Sequence, residues 1–206
     1  MASIIELLSV LVVSFVFNIV PFVGPSNLLI ATNASVLMPG TDPFVPVVIG
    51  FLVALGSTSA KLVHYIISFF VGEHLNEKRK KQMDVAVAKL HGWAFFAVFI
   101  AAATPIPDEP VVVPLGLMRY SVVKFTSAFF AGKLIICVAG AYLGVFGQQF
   151  LGGYLTQDAL AVVSVVLTIA ITVVLLKVDP SKVSEKALKR LGLVKNGKDS
   201  DKGVQQ

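Results

Sequence analysis

Two carboxylates stand side by side in a run that is otherwise apolar and proline-rich, Thr104-Pro-Ile-Pro-Asp-Glu-Pro110. At membrane depth, which the composition below requires for this run, ionised acids are expensive and mark functional sites. Adjacent desolvated acids also repel each other, which favours uptake of a proton by one of them. Asp108 and Glu109 are therefore candidate proton carriers, and the plain alternative is a wetted turn in which both cap helix ends. Glu109, beside Pro110 at the tip, is expected to be the more desolvated of the two. Lys61 and Lys133 each lie about eleven residues from a helix end, too deep for flanking charges. Each either snorkels, neutralises one of the acids, or engages a substrate phosphate. Ser57, Lys61, His64 and Ser68 recur every three or four residues, a polar stripe that must face protein or a cavity rather than lipid. His64 taken alone is more often a packed histidine than a ligand. Asn18, Asn27 and Asn33 read as interhelical hydrogen-bond partners ahead of ligands. Arg119 and Lys124 either anchor to lipid phosphates or capture a headgroup. Trp93 and Tyr154 suit the interfacial aromatic belt.

The elements that position these groups follow from composition. Of 206 residues, 56% are hydrophobic and 14% charged, with a mean hydropathy of +0.84. Soluble domains carry about 25% charged residues, so this chain cannot build a water-facing surface and must be integral to a membrane. Cys137 is the single cysteine; it excludes a disulfide framework, a cysteine zinc site and an iron–sulfur cluster, and reads as a buried small hydrophobe. No zinc-protease, phosphate-loop or serine-hydrolase signature occurs. No enzyme activity, cofactor or metal site is expected. The N-terminus lacks the positive region and cleavage site of a signal peptide, so residues 3–20 are expected to stay in the mature protein.

Charge placement sets the expected topology. None of the 17 Lys and Arg precedes Lys61, five lie in 72–92, and eight lie from Lys177 onward against four acids, a net +4. The positive-inside rule puts both clusters in the cytoplasm, which leaves the N-terminus outside. The high pI of 9.4 thus reflects cytoplasmic loops, and no nucleic-acid partner follows from it. In the tail, Asp179-Pro180 is a helix-start pair, followed by either a short interfacial amphipathic helix or a solvated stop-transfer segment, and then a disordered end.

The expected fold is an all-α membrane protein with a single membrane domain over 1–176. It comprises a re-entrant hairpin at 3–38, a transmembrane helix at 44–71, the cytoplasmic loop 72–92, a re-entrant hairpin at 93–120, and transmembrane helices at 121–147 and 159–176, before the basic tail 177–206. Pro21 and Pro25 interrupt the first hairpin, and Pro105, Pro107 and Pro110 the second. Each interior proline costs a helix about 3 kcal/mol, and broken backbone at membrane depth survives only inside protein or along a cavity. Parity agrees: a third crossing between the loop and the tail would export the eight-cation tail.

The two halves also align. Residues 60–72 (AKLVHYIISFFVG) set against 132–144 (GKLIICVAGAYLG) match at the lysine, the following leucine and the final glycine without a gap. Each unit is preceded by its proline-broken hairpin, the first unit being longer by about 12 residues. Because 44–71 runs inward and 121–147 outward, the repeat is inverted, and the two tips are expected to meet near the midplane as in secondary transporters.

The stretch TPIPDEPVVVPLGLMRYSVVKF (104–125) with FAGK (130–133), and PFVGPSNLLIA (21–31), resembles the DedA family, also called the VTT-domain or SNARE-associated Golgi protein family, over about residues 15–176. The resemblance implies opposed re-entrant hairpins and lipid-carrier work: translocation of polyprenyl phosphates, scrambling of phospholipids, and membrane homeostasis linked to the proton-motive force. Asn27 stands where that family usually has an acid, and Thr104 and Pro110 stand at its flanking arginines. The expected function is a proton-coupled transporter or flippase of an anionic lipid carrier in the cell membrane, with its C-terminus cytoplasmic. Asp108 and Glu109 would couple protons, and Lys61, Lys133, Arg119, His64 and Asn27 would bind substrate. A passive lipid scramblase, a scaffold whose tail recruits a cytoplasmic partner, and a small-ion exchanger are the alternatives. Membrane lipids are the expected partners, and the composition is compatible with a homo-oligomer.

Overall fold

The computed structural model describes residues 3–20, 25–38, 42–73, 93–105 and 108–177. Pro21, Pro107, most of the basic loop (74–92) and the tail 178–206 with its expected interfacial helix lie outside the described residues. Among the described residues there are seven helices and no strand: α1 Ile4–Ile19, α2 Asn27–Leu37, α3 Val45–Glu73, α4 Ala94–Ala102, α5 Glu109–Leu117, α6 Val122–Leu151 and α7 Gln157–Lys177. Residues 1–172 belong to one compact unit, and a second begins at Val173 in the last turns of α7.

Local chemistry explains the boundaries. Ser3 and Glu6 close α1 with a reciprocal capping box, Ser3 N–H donating to Glu6 Oε2 at 2.7 Å and Glu6 N–H to Ser3 Oγ at 3.2 Å, which satisfies two of the amides a helix start leaves free. α4 stops at Ala102, three residues before Pro105. α5 starts at Glu109 with Pro110 in its first turn, where a missing N–H is harmless. The second apolar stretch is therefore two helices of 9 residues each, about 14 Å per arm, against a hydrocarbon core of roughly 30 Å. By contrast α3 has 29 residues and α6 has 30, about 44 Å each at 1.5 Å per residue. Both are long and apolar enough to cross a membrane.

The arms of the two hairpins separate in their packing. α1 packs on α3 and α4 on α6, each against the long helix of its own half, whereas α2 packs on α6 and α5 on α3, each against the long helix of the other half. α3 and α6 pack directly on each other. The stripes that meet are short-period. α1 buries Val10, Ser14 and Asn18, and α4 buries Ala94, Val98 and Ala102, each at a spacing of four. Close approach is set by glycine at Gly132, where a Cβ would meet the Phe99 carbonyl oxygen and the Ala102 methyl.

Two apolar clusters result. One joins Val10, Ile30, Ala31, Ile49, Val53 and Cys137; the other joins Tyr65, Val98, Val112, Leu115, Phe125 and Phe129. The surface is inverted relative to a water-soluble protein. Phe51, Ile67 and Phe70 on α3 and Val123, Ile135 and Leu143 on α6 are exposed, while Ser14, Asn18, Lys61, Asp108, Glu109 and Lys133 are buried. Apolar side chains face outward without penalty only where lipid is the solvent, so this is a membrane protein.

Candidate functional site

Lys61 lies deep in α3, twelve residues from its end at Glu73, or about 18 Å along the axis. Lys133 lies eleven residues into α6, about 16 Å from its start. Both are buried, at 4% and 2% exposure. Neither snorkels: the two ammonium groups converge on the first turn of α5. Lys61 Nζ donates to Glu109 Oε1 in a short, buried ion pair. Lys133 Nζ lies 2.8 Å from Asp108 Oδ2 and 5.3 Å from the centroid of the Phe129 ring. Two cations and two carboxylates thus compensate each other inside the protein, which is the condition under which buried charge persists.

The helix start explains why acids are tolerated here. Asp108 holds the N-cap position of α5 and Glu109 its first helical position, where the macrodipole favours negative charge. The Asp108 side chain makes no cap hydrogen bond; the carbonyl oxygen of Asp108, not its carboxylate, accepts from the Val111 and Val112 amides. The reading of both acids as helix caps therefore fails for Asp108. The expectation that Glu109 is the more desolvated acid is corrected too, since both are 4% exposed: each side chain is enclosed by its own lysine-bearing helix. Among the described residues Asp108 Oδ1 finds no hydrogen-bond donor.

The other expected site residues lie elsewhere. Asn27 exchanges a reciprocal amide pair with Asn18 across the first hairpin, at 2.8 and 3.1 Å, the neutral counterpart of the charged tip. His64 Nε2 meets the Ile19 carbonyl oxygen at 2.8 Å, at the end of α1; it is a packed histidine. Asn33 Nδ2 donates to Leu29 O, and Ser164 Oγ of α7 donates to Asn33 Oδ1 at 2.7 Å. Arg119 is exposed beyond α5, its guanidinium 5.2 Å from the Phe69 ring centroid. That is the far end of α5 from Glu109, about 15 Å away along the helix. Pro25 precedes α2 and Pro105 follows α4. Cys137, one turn beyond Lys133, is fully buried and packs as a small hydrophobe.

Tyr65 escaped the sequence reading. It is fully buried four residues after Lys61, its hydroxyl donates to the Tyr120 carbonyl oxygen, and its ring stacks on Phe125 with centroids 4.4 Å apart. Its position one turn from Lys61 on the polar stripe was the available signal.

A family model described as the VTT domain matches residues 8–146. Among curated proteins the chain is similar to ATP synthase subunit a of Candida albicans, 28% identical over 90 residues covering 41% of this chain and 35% of that protein. It is similar also to ATP synthase subunit a of Debaryomyces hansenii, 27% identical over 88 residues, 38% of this chain and 35% of that protein. The chain spans about a third of the length of these curated relatives. Membrane helices draw on a narrow apolar alphabet, and a partial likeness of that extent fixes neither fold nor activity. No solved structure matches the chain. The family match has a different reach: it takes in both broken hairpins, both lysine-bearing stretches and the acid pair, and the chain belongs to the VTT-domain (DedA) family of membrane proteins.

Proposed function

We propose that the protein is a proton-coupled carrier of an anionic lipid, of the polyprenyl phosphate or phospholipid class, moving the headgroup between leaflets of the cell membrane. The observation that carries this reading is the convergence of Lys61 and Lys133, from the two long helices, on the adjacent carboxylates Asp108 and Glu109. A proton taken up by a carboxylate removes its charge and leaves a buried ammonium uncompensated, a state several kcal/mol unfavourable. A phosphate that enters and bonds to the released lysine restores the balance. Loss of the proton returns the lysine to its acid and expels the phosphate. Proton and anion then occupy the site together or not at all, which is coupling in the thermodynamic sense.

The same reading makes α1–α2 and α4–α5 opposed re-entrant hairpins of an inverted repeat. Three features support it: arms of 9 to 11 residues in α2, α4 and α5 that are too short to span, the exchange of arms between long helices, and the basic loop and tail that favour a shared cytoplasmic side.

The test is reconstitution of the full chain in liposomes with a fluorescent polyprenyl phosphate or phospholipid, scored for movement between leaflets with and without a pH gradient. Movement that the gradient drives, and that stops when the gradient is collapsed, is the expected result. Movement at an undiminished rate after collapse would replace the coupled carrier by a passive scramblase.

A further inference from the structure

We infer that the six helices α1–α6 divide into two rigid triplets that rock against each other, and that the Asp108–Lys133 ion pair is the protonation-sensitive latch between them. The odd-numbered helices form one triplet, with α1 and α5 both on α3; the even-numbered helices form the other, with α2 and α4 both on α6. The proton-driven release rests on the carrier reading of the acid–lysine cluster, while the division into triplets stands on the side chain to backbone bonds within each; α3 and α6, and α2 and α3, also pack on each other across it.

Four side chain to backbone locks lie inside the triplets. In the odd triplet Ser14 Oγ donates to Val53 O at 2.8 Å and His64 Nε2 meets Ile19 O, while Tyr65 of α3 donates to Tyr120 O in the connection between α5 and α6. In the even triplet Thr32 Oγ1 donates to Gly140 O at 2.8 Å and Gln148 Nε2 to Val36 O at 2.6 Å. Six close glycine contacts also lie inside the triplets, and one, Gly50 on Val138, lies between them. Gly56, Gly72 and Gly116 press on Leu11, Leu117 and the Tyr65–Ser68 turn within the odd triplet. Gly132, Gly140 and Gly144 press on Phe99, Leu28 and Thr32 within the even one. Across the interface the packing is largely apolar. Ile49, Val53 and Ala54 meet Ile136, Cys137 and Ala141, Gly50 meets Val138, and Phe51 meets Phe130. A largely apolar interface that few directional bonds cross can slide, as in shear motions of packed helices.

The two adjacent acids therefore do different jobs. Glu109 on α5 pairs with Lys61 on α3, inside the odd triplet. Asp108 is fastened to α5 by its carbonyl, yet its carboxylate reaches Lys133 on α6, in the even triplet. Among the described residues this is the ion pair that crosses; the Asn18–Asn27 pair and the Tyr142 hydroxyl on Pro43 O also cross, and both are neutral. The charged and titratable groups facing Asp108 are Lys133 and the Cys137 thiol of α6, Lys61 of α3 and Glu109 of α5. Protonating Asp108 breaks the cross-interface link and leaves the Lys61–Glu109 clamp intact.

The experiment uses the full chain with Cys137→Ala, reconstituted in phosphatidylcholine vesicles and spin-labelled in pairs at exposed positions. Ile67 on α3 with Ile135 on α6 reports across the interface, and Leu8 on α1 with Ile67 reports within one triplet. Pulsed electron resonance should show the first distance shifting to a second population as pH falls, with the second distance unchanged. Asp108→Asn should hold the shifted population at every pH, and Asp108→Asn with Lys133→Met should do the same if the single variant folds poorly. Glu109→Gln should keep the pH response. A pH response that survives Asp108→Asn, one that Glu109→Gln also abolishes, or a Leu8–Ile67 distance that moves with the other would overturn the latch. Lipid movement scored in the same vesicles separates the two readings: a pH-driven shift without lipid movement keeps the latch and rejects the carrier. Gradient-driven movement without a shift rejects the latch alone.

Discussion

Lys61 and Lys133 lie 72 residues apart on two different long helices, yet they reach the same helix start, where neighbouring residues Glu109 and Asp108 receive them. Four charges buried to 5% or less of their side-chain surface are held at the price of desolvation that only mutual pairing offsets. The following expectations derive from that arrangement.

Removing one member of a buried pair should be worse than removing both. Lys61→Met or Glu109→Gln alone leaves an uncompensated or under-compensated charge, an effect of about 3–5 kcal/mol when a buried pair loses one partner. The double variant Lys61→Met/Glu109→Gln should recover much of the lost stability. A double-mutant cycle on thermal unfolding in detergent measures this; additive losses would mean that the two groups do not interact.

Replacing Asp108 and Glu109 together by Asn and Gln keeps volume and hydrogen-bonding capacity while removing titration. The protein should still insert, because neutral amides are less costly than carboxylates at depth. Its lipid movement should no longer depend on pH. Reconstituted transport across a series of pH values checks this, and an unchanged pH profile would reduce both acids to structural partners.

Tyr65→Phe removes the hydroxyl that bonds to the Tyr120 carbonyl oxygen and retains the ring stacked on Phe125. The expected loss is about 1 kcal/mol for the bond, with up to a few more for the carbonyl left buried. Tyr65→Ala should cost about 3–5 kcal/mol, since it also empties a fully buried ring site. Equal unfolding temperatures for the two variants would contradict this division.

Gly132→Leu should disrupt the α4–α6 contact, because even a Cβ there meets the Phe99 backbone oxygen and the Ala102 methyl. Overpacking of this kind costs typically about 1–3 kcal/mol. Gly147, which has open space around it, is the control: Gly147→Leu should insert and unfold like the parent. Comparable losses at both sites would show that close packing at Gly132 is not the cause, since Gly→Leu by itself favours the helix.

Cysteine labelling tests the topology. In a Cys137→Ala background, single cysteines at Lys80 and Ser200 should react with an impermeant reagent from the same side of the membrane. Reaction from opposite sides would remove the inverted-repeat reading.

The sequence by itself determined the solvent, the elements and the breaks. Apolar excess beyond what water tolerates dictates a membrane, and prolines at 105, 107 and 110 forbid a helix through the second hairpin whatever surrounds it. The stripe of Ser57, Lys61, His64 and Ser68 announced a protein-facing side, and its depth ruled out flanking charges. These are local consequences of period, steric exclusion and solvation, so they can be read from residues in order. What the tertiary structure alone decided is which long helix each hairpin arm joins, and therefore which lysine each acid meets. Asp108 and Glu109 are neighbours with the same charge and the same burial, and nothing in their sequence context says that one is held within its triplet and the other across the interface. That assignment comes from the direction in which successive side chains leave the first turn of α5 and from Gly72 and Gly116, which let α5 lie close on α3. Both depend on contacts between segments far apart in the chain, where periodicity carries no information.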